Sequence, residues 1–262
     1  PAIGKISIYV EGEKLVTAKK EKDSVNYEFV YEQKPILGAE FEIRAAEDIY
    51  SPEGGDSAVK IFEKGELVVT ITSDENGQTW TGQEDWKGTE IAKGLPLGTY
   101  TVTQIKAGEG FYLSEENAAP REMKLSYAGQ EVPVIYKDTF YNNPMQEVKI
   151  EVSKLDATDD KPLAGAVFGL YTKEKILNYE GETIVDAGVL VAVTETVKEE
   201  SEIKNAVFAA KLPQGKYYVK ELKAPDGYVS SGECYEVEAF STKQNEKVIE
   251  KNIVIKNDIC NS

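Results

Sequence analysis

The 262-residue chain repeats itself, and the repeat constrains every other reading of it. K-P-I-L-G-A-E-F-E-I at 34–43 returns as K-P-L-A-G-A-V-F-G-L at 161–170. L-P-L-G-T-Y-T-V-T-Q-I-K-A-G-E-G-F at 95–111 returns as L-P-Q-G-K-Y-Y-V-K-E-L-K-A-P-D-G-Y at 212–228. The two motifs keep their order, and each copy closes on an asparagine-bearing strand, F-Y-N-N-P at 140–144 and V-I-K-N-D at 254–258. A period this long is a duplicated domain and not a solenoid repeat. It predicts two domains, residues 1–144 and 145–262, joined semi-rigidly and end to end by the short, proline-containing linker N-P-M-Q-E.

Inside each copy the pattern is that of strands. Short alternating segments at 5–10, 39–43, 67–71, 100–105, 149–154, 166–171, 217–222, 234–240 and 252–257 are separated by Gly, Pro, Asn and Asp. Such alternation predicts an all-β chain of two tandem immunoglobulin-like antiparallel sandwiches, with two sheets facing each other across their apolar sides. K-E-K-I-L-N-Y and V-K-E-E-S-E have room for a helical turn but lack a cap and a periodic face.

Three residues break the alternation. Val148, Ile150 and Val152 define an apolar face on which Lys154 comes next. Tyr217 and Val219 lead in the same way to Glu221, and Ile253 and Ile255 lead to Asn257. Side chains on a strand alternate with period two, so all three are expected to face the core. A buried lysine, carboxylate or amide is costly unless it is paired. One per strand, each near a strand end, they predict a common polar cluster. Periodicity alone leaves an ordinary buried ion pair with an amide neighbour equally open.

The repeated motifs resemble the SpaA-like, Cna B-type (prealbumin-like) domains of Gram-positive surface proteins and pilins, over nearly the whole chain. The second copy carries that family's E-box nearly complete, as Tyr218, Glu221, Ala224, Pro225, Gly227 and Tyr228, together with the G-A-x-F strand and an upstream lysine. The resemblance implies an autocatalytic intramolecular isopeptide bond between Lys154 and Asn257, assisted by Glu221. The chemistry is reasonable, because burial favours a neutral amine and a protonated carboxylic acid. The amine is then a nucleophile, and the acid can donate to the asparagine carbonyl and shuttle protons as ammonia leaves. Strand packing supplies the proximity. The reaction runs once per molecule, so the chain is not an enzyme in the sense of turnover.

The first copy departs from that pattern. Ile6, Ile8 and Val10 face inward, which puts Val10 at the lysine position, and Gln104 replaces the glutamate. Asn142, or as second choice Asn143, is expected to remain as a hydrogen-bonded amide. In another register Lys22 or Lys34 would be the amine, although Lys34 sits beside a proline at a turn.

Composition excludes several function classes. A net charge of −16 makes nucleic acid and anionic membranes poor partners. No window has the length and apolarity of a membrane-spanning helix, and no signal peptide opens the chain. Together with the family resemblance, which implies a cell-wall protein, the expectation is a monomeric segment of a longer extracellular protein, flanked by neighbouring domains and anchored to the cell wall through a part outside this chain. Histidine is absent, which removes the usual triad base and the commonest metal ligand. Asp156, Asp159 and Asp160 lack the EF-hand spacing and read as a solvated turn. No metal and no cofactor is expected.

The leading functional expectation is a structural stalk or adhesin segment. The alternative is a module that contacts a host extracellular protein (matrix, mucin or immunoglobulin) or a glycan through Trp80 and Trp86, which lie in a polar segment without counterpart in the second copy. Core capping by Trp80 and edge covering by Trp86 is the structural reading of the same residues. Finally, Cys234 and Cys260 are equidistant from residue 247, so a long hairpin there would place them opposite each other for a disulfide.

Overall fold

The computed structural model describes residues 3–51, 55–82, 94–127, 129 and 134–260. The chain forms two compact units, one of Pro1–Glu13 and Gln33–Met145, the other of Lys14–Glu32 and Gln146–Ser262. In the first part of the chain the principal strands are β1 (Ile3–Lys20), β2 (Tyr27–Pro35), β3 (Glu40–Ala45), β4 (Leu67–Thr72), β5 (Gln78–Trp80), β6 (Gly98–Lys106), β7 (Arg121–Leu125) and β8 (Val134–Asn143). In the second part they are β9 (Glu147–Asp156), β10 (Val167–Thr172), β11 (Leu190–Glu195), β12 (Ala206–Phe208), β13 (Gly215–Lys223), β14 (Tyr228–Val229), β15 (Cys234–Ala239) and β16 (Val248–Ile259).

Each unit packs one four-stranded sheet against another. In the first, the order β4-β3-β6-β7 faces β8-β1-β2, with β5 also paired to β1. In the second, β11-β10-β13-β15 faces β12-β9-β16-β14. The opening and closing strands of each copy lie side by side and parallel, β1 with β8 and β9 with β16. The inward residues of these sheets build separate cores, one around Val10, Phe41, Tyr100 and Tyr141, the other around Ile150, Phe168, Tyr217 and Ile255.

The repeated motifs make the same local bonds in both units. Gly38 and Gly165 adopt φ of 84° and 85°, a left-handed conformation that a side chain disfavours, and so turn the chain into β3 and β10. The next amide, Ala39 or Ala166, donates to the hydroxyl of Ser73 at 3.0 Å or Thr196 at 3.1 Å. In L-P-x-G-x-Y, the Tyr100 hydroxyl donates to the Pro96 carbonyl at 2.7 Å and the Tyr217 hydroxyl to the Pro213 carbonyl at 2.6 Å. Burial of each phenol pushes its pKa above the usual tyrosine range.

A single cut near residue 144 does not describe this division. β1 runs for 18 residues and hands its second half, with the first part of β2, to the second unit. The reason is apolar burial. Phe29 is 5% exposed within the second core, and Leu15, Ala18, Tyr27 and Tyr31 pack around it. The Asn178 amide donates to the Val16 carbonyl at 3.1 Å, and Asn26 Oδ1 accepts from the Val193 amide at 2.9 Å. Where a helical turn had room, 176–177 and 197–204 are short strand pairs, while a short helix forms at Glu115–Ala118 with Ser114 as its cap.

Candidate functional site

In the second unit β9, β13 and β16 bring Lys154, Glu221 and Asn257 together. β9 and β16 are parallel neighbours in one sheet, with Lys154 level with Ile255 and Asp156 level with Asn257. Glu221 comes from the facing sheet, where it pairs with Phe168 of β10. Lys154 Nζ lies 2.7 Å from Glu221 Oε2, with side chains 0% and 3% exposed. At that distance the carboxylate is the charged partner of the buried amine. Asn257 Nδ2 donates to both carboxylate oxygens, at 3.0 and 3.1 Å, while its Oδ1 has no partner among the described residues. Burial lowers the Lys154 pKa, and the Glu221 carboxylate only partly offsets that. The carboxylate thus bridges an amine biased toward its neutral form and the amide nitrogen of Asn257.

The corresponding place in the first unit holds Val10, Gln104 and Asn143. Val10 is 0% exposed and level with Tyr141, Gly12 is level with Asn143, and Gln104 pairs with Phe41 of β3. Gln104 Nε2 donates to Asn143 Oδ1 at 2.9 Å, and Asn143 Nδ2 donates back to Gln104 Oε1 at 3.0 Å. The Gly108 amide also donates to Asn143 Oδ1, at 3.2 Å. The first-choice asparagine was therefore misplaced by one residue: Asn142 is exposed and Asn143 is buried. Continued alternation from Tyr141 carries that signal, since a shift of one residue puts a side chain on the opposite face.

Sequence reasoning missed a further pair, the buried Asp156 and the half-buried Tyr228. Asp156 is the next inward residue after Lys154 and is 5% exposed. Its Oδ2 accepts from the Tyr228 hydroxyl at 2.7 Å and its Oδ1 from the Thr158 amide at 2.7 Å. These two hydrogen bonds hold the Asp156 carboxyl below its usual pKa. Its neighbours Asp159 and Asp160 cap the turn, accepting from the Lys161 amide and pairing with Lys256 at 2.9 Å.

The disulfide expectation is corrected. Cys234 and Cys260 are both free and exposed. The supposed hairpin does not form, because β15 pairs with β13 in one sheet while β16 pairs with β9 and β14 in the other. Residues 241–246 therefore cross between sheets, and equal distance from residue 247 places no pair opposite. Trp80 is half-buried on β5, level with Ser7 of β1, and Trp86 lies outside the described residues.

The prealbumin-like fold domain of the SpaA family matches residues 30–126 and again residues 148–254. Over 92 residues the chain is 34% identical to the trypsin-resistant surface T6 protein of Streptococcus pyogenes serotype M6, a match that covers 35% of this chain and 14% of that protein. The solved structure of the Bacillus anthracis TIE protein superposes with a TM-score of 0.56 at 20% identity, covering 98% of this chain and 34% of that one. The chain thus spans only a small part of the surface protein and about a third of the solved chain, and the latter likeness concerns the fold alone. With the duplicated motifs, the parallel opening and closing strands and a family match over well over half of its length, this chain belongs to the SpaA prealbumin-like family as a tandem pair of its domains.

Proposed function

We propose that the chain is a structural stalk segment of a Gram-positive cell-surface protein, and that its second domain ties itself with an isopeptide bond between Lys154 and Asn257. The observation that carries this reading is the buried cluster of amine, carboxylate and amide, with Lys154 Nζ 2.7 Å from Glu221 Oε2 and Asn257 Nδ2 donating to both oxygens of the same carboxylate. Condensation replaces a buried, charged amine–carboxylate pair by a neutral amide, which removes the cost of keeping those charges out of water.

In this reading Glu221 serves both proton transfers. Taking a proton from the ammonium of Lys154 leaves a neutral amine, whose lone pair attacks Cγ of Asn257. A half-turn of the asparagine amide presents Oδ1 to the protonated carboxyl, which then stabilises charge developing on that oxygen. The Nζ–Cγ bond forms, the Cγ–Nδ2 bond breaks as Nδ2 takes the first proton and departs as ammonia, and Nζ gives its second proton to the Glu221 carboxylate. No other reactant is consumed. A covalent tie between the first and last strands of a sandwich suits a part that carries tension and meets proteases. The surface location and trypsin resistance recorded in the name of the streptococcal relative accord with that role.

Intact mass of the purified chain tests the reading. One ammonia is expected to be missing, and a peptide map should join the peptides of Lys154 and Asn257. A full-mass chain overturns it, and so does an unchanged ammonia loss in Glu221→Ala, which would remove Glu221 from its role.

A further inference from the structure

The hydrogen bond between Asp156 and Tyr228 spans the strands that carry the reacting groups. Asp156 lies on β9, two residues beyond Lys154 on the same face and level with Asn257. Tyr228 opens β14, whose pairing partner on β16 is Ile259, two residues beyond Asn257. The 2.7 Å bond from the Tyr228 hydroxyl to Asp156 Oδ2 therefore reaches from the strand of the amine to the edge strand that flanks the strand of the amide. The Ala157 amide, donating to the Asn257 carbonyl at 2.8 Å, closes the same corner.

The first unit shows what the corner looks like without a crosslink. The repeat aligns Phe111 with Tyr228, and the strand register aligns Gly12 with Asp156. A Cβ on Gly12 would come within 2.7 Å of Phe111 Cε1 and 2.5 Å of the Asn143 carbonyl oxygen, so the ring has taken the space of the side chain. Lys154, Asp156, Glu221 and Tyr228 are thus exchanged together for Val10, Gly12, Gln104 and Phe111. Apolar contact of Phe111 closes that end of the sandwich without a buried carboxylate. The polar version serves something that the first unit lacks.

We propose that Asp156 and Tyr228 are a positioning pair for the crosslink, holding β9 against β16 and β14 so that Lys154 Nζ stays at the Asn257 amide. The proposal rests on the Lys154–Asn257 reading above. Neither residue touches the reacting atoms; the pair acts through strand placement, to which an intramolecular reaction is steeply sensitive.

The test follows ammonia loss by intact mass after cell-free synthesis of the full 262-residue chain. Tyr228→Phe and Asp156→Ala should crosslink about 10- to 100-fold more slowly than the unsubstituted chain. Asp156→Asn keeps an acceptor for the hydroxyl and should recover most of the rate. Each substitution is also combined with Glu221→Gln, which gives an uncrosslinked chain whose folded fraction is read by circular dichroism. A Tyr228→Phe rate equal to that of the unsubstituted chain overturns the proposal. So does a slowing fully explained by a lower folded fraction, or an Asp156→Asn rate as low as that of Asp156→Ala. An unsubstituted chain that never loses ammonia overturns the Lys154–Asn257 reading and this proposal with it, which separates the two failures.

Discussion

The first and second units present the same backbone positions at the same corner and fill them with opposite chemistry. Gln104 and Asn143 exchange two hydrogen bonds, and Val10 above them is an ordinary core residue. Glu221 and Asn257 occupy the matching positions beside Lys154, and that cluster buries an amine against the carboxylate, with the amide oxygen of Asn257 left without a hydrogen-bond partner among the described residues. A fully satisfied amide pair is at rest. A buried ion pair is costly to keep out of water, and a reaction that neutralises it is favoured. The difference teaches that the frame is indifferent to the chemistry mounted on it. Glu221 and Gln104 both stand across from a phenylalanine of the G-A-x-F strand, so the exchange needs no change in sheet order.

The largest effect should come from making the second corner like the first. Lys154→Met with Glu221→Gln removes the proposed tie, which closes a loop of about 100 residues and is worth about 4–5 kcal/mol in the chain-entropy model. Denaturant unfolding should show the second unit losing that much, with full mass restored. Equal stability of the two chains would break the comparison.

The reverse exchange is nearly as severe. Val10→Lys alone buries an ammonium opposite two amides and should cost about 3–5 kcal/mol in the first unit. Adding Gln104→Glu supplies the carboxylate, should recover part of that loss, and should bring a second ammonia loss slower than the first. A second loss as fast as the first would show that Gly12 and Phe111 are no handicap.

A third variant asks which unit owns the early hairpin. Phe29→Ala empties a buried ring site and should cost about 3 kcal/mol. Hydrogen exchange should locate the loss of protection in residues 146–262 and not in 33–145; the opposite pattern would return the hairpin to the first unit.

The smallest effect checks what the units share. Tyr100→Phe and Tyr217→Phe each delete one buried hydrogen bond and should cost about 1–1.5 kcal/mol, alike in the two units. Melting curves that differ widely between them would mean that the repeated corner is not energetically equivalent.

Much of this was legible in one dimension. Alternation around Val152 and Val219 put Lys154 and Glu221 inside, and both are buried. Duplication of L-P-x-G-x-Y announced two copies of one domain, and the structure adds that both copies carry the same tyrosine hydrogen bond. The same alternation, carried one step further, reaches Asp156 and picks Asn143 over Asn142. What failed was inference from adjacency. Cys234 and Cys260 are symmetric about a turn, yet that turn crosses between sheets.

Periodicity and repetition by themselves determined the β class, the duplication and the identity of the polar residues facing each core, because side-chain direction on a strand follows from the two-residue period of the backbone. Only the tertiary structure decided which strands are neighbours. Sheet order depends on non-local burial, and nothing local in β1 or β2 says that the end of the one and the start of the other will join the second core, with Phe29 inside it. The same holds for the hydrogen bond that joins Asp156 to Tyr228 across 72 positions of sequence. Chain order does not state such distances; they exist only once two sheets have closed on a common interior.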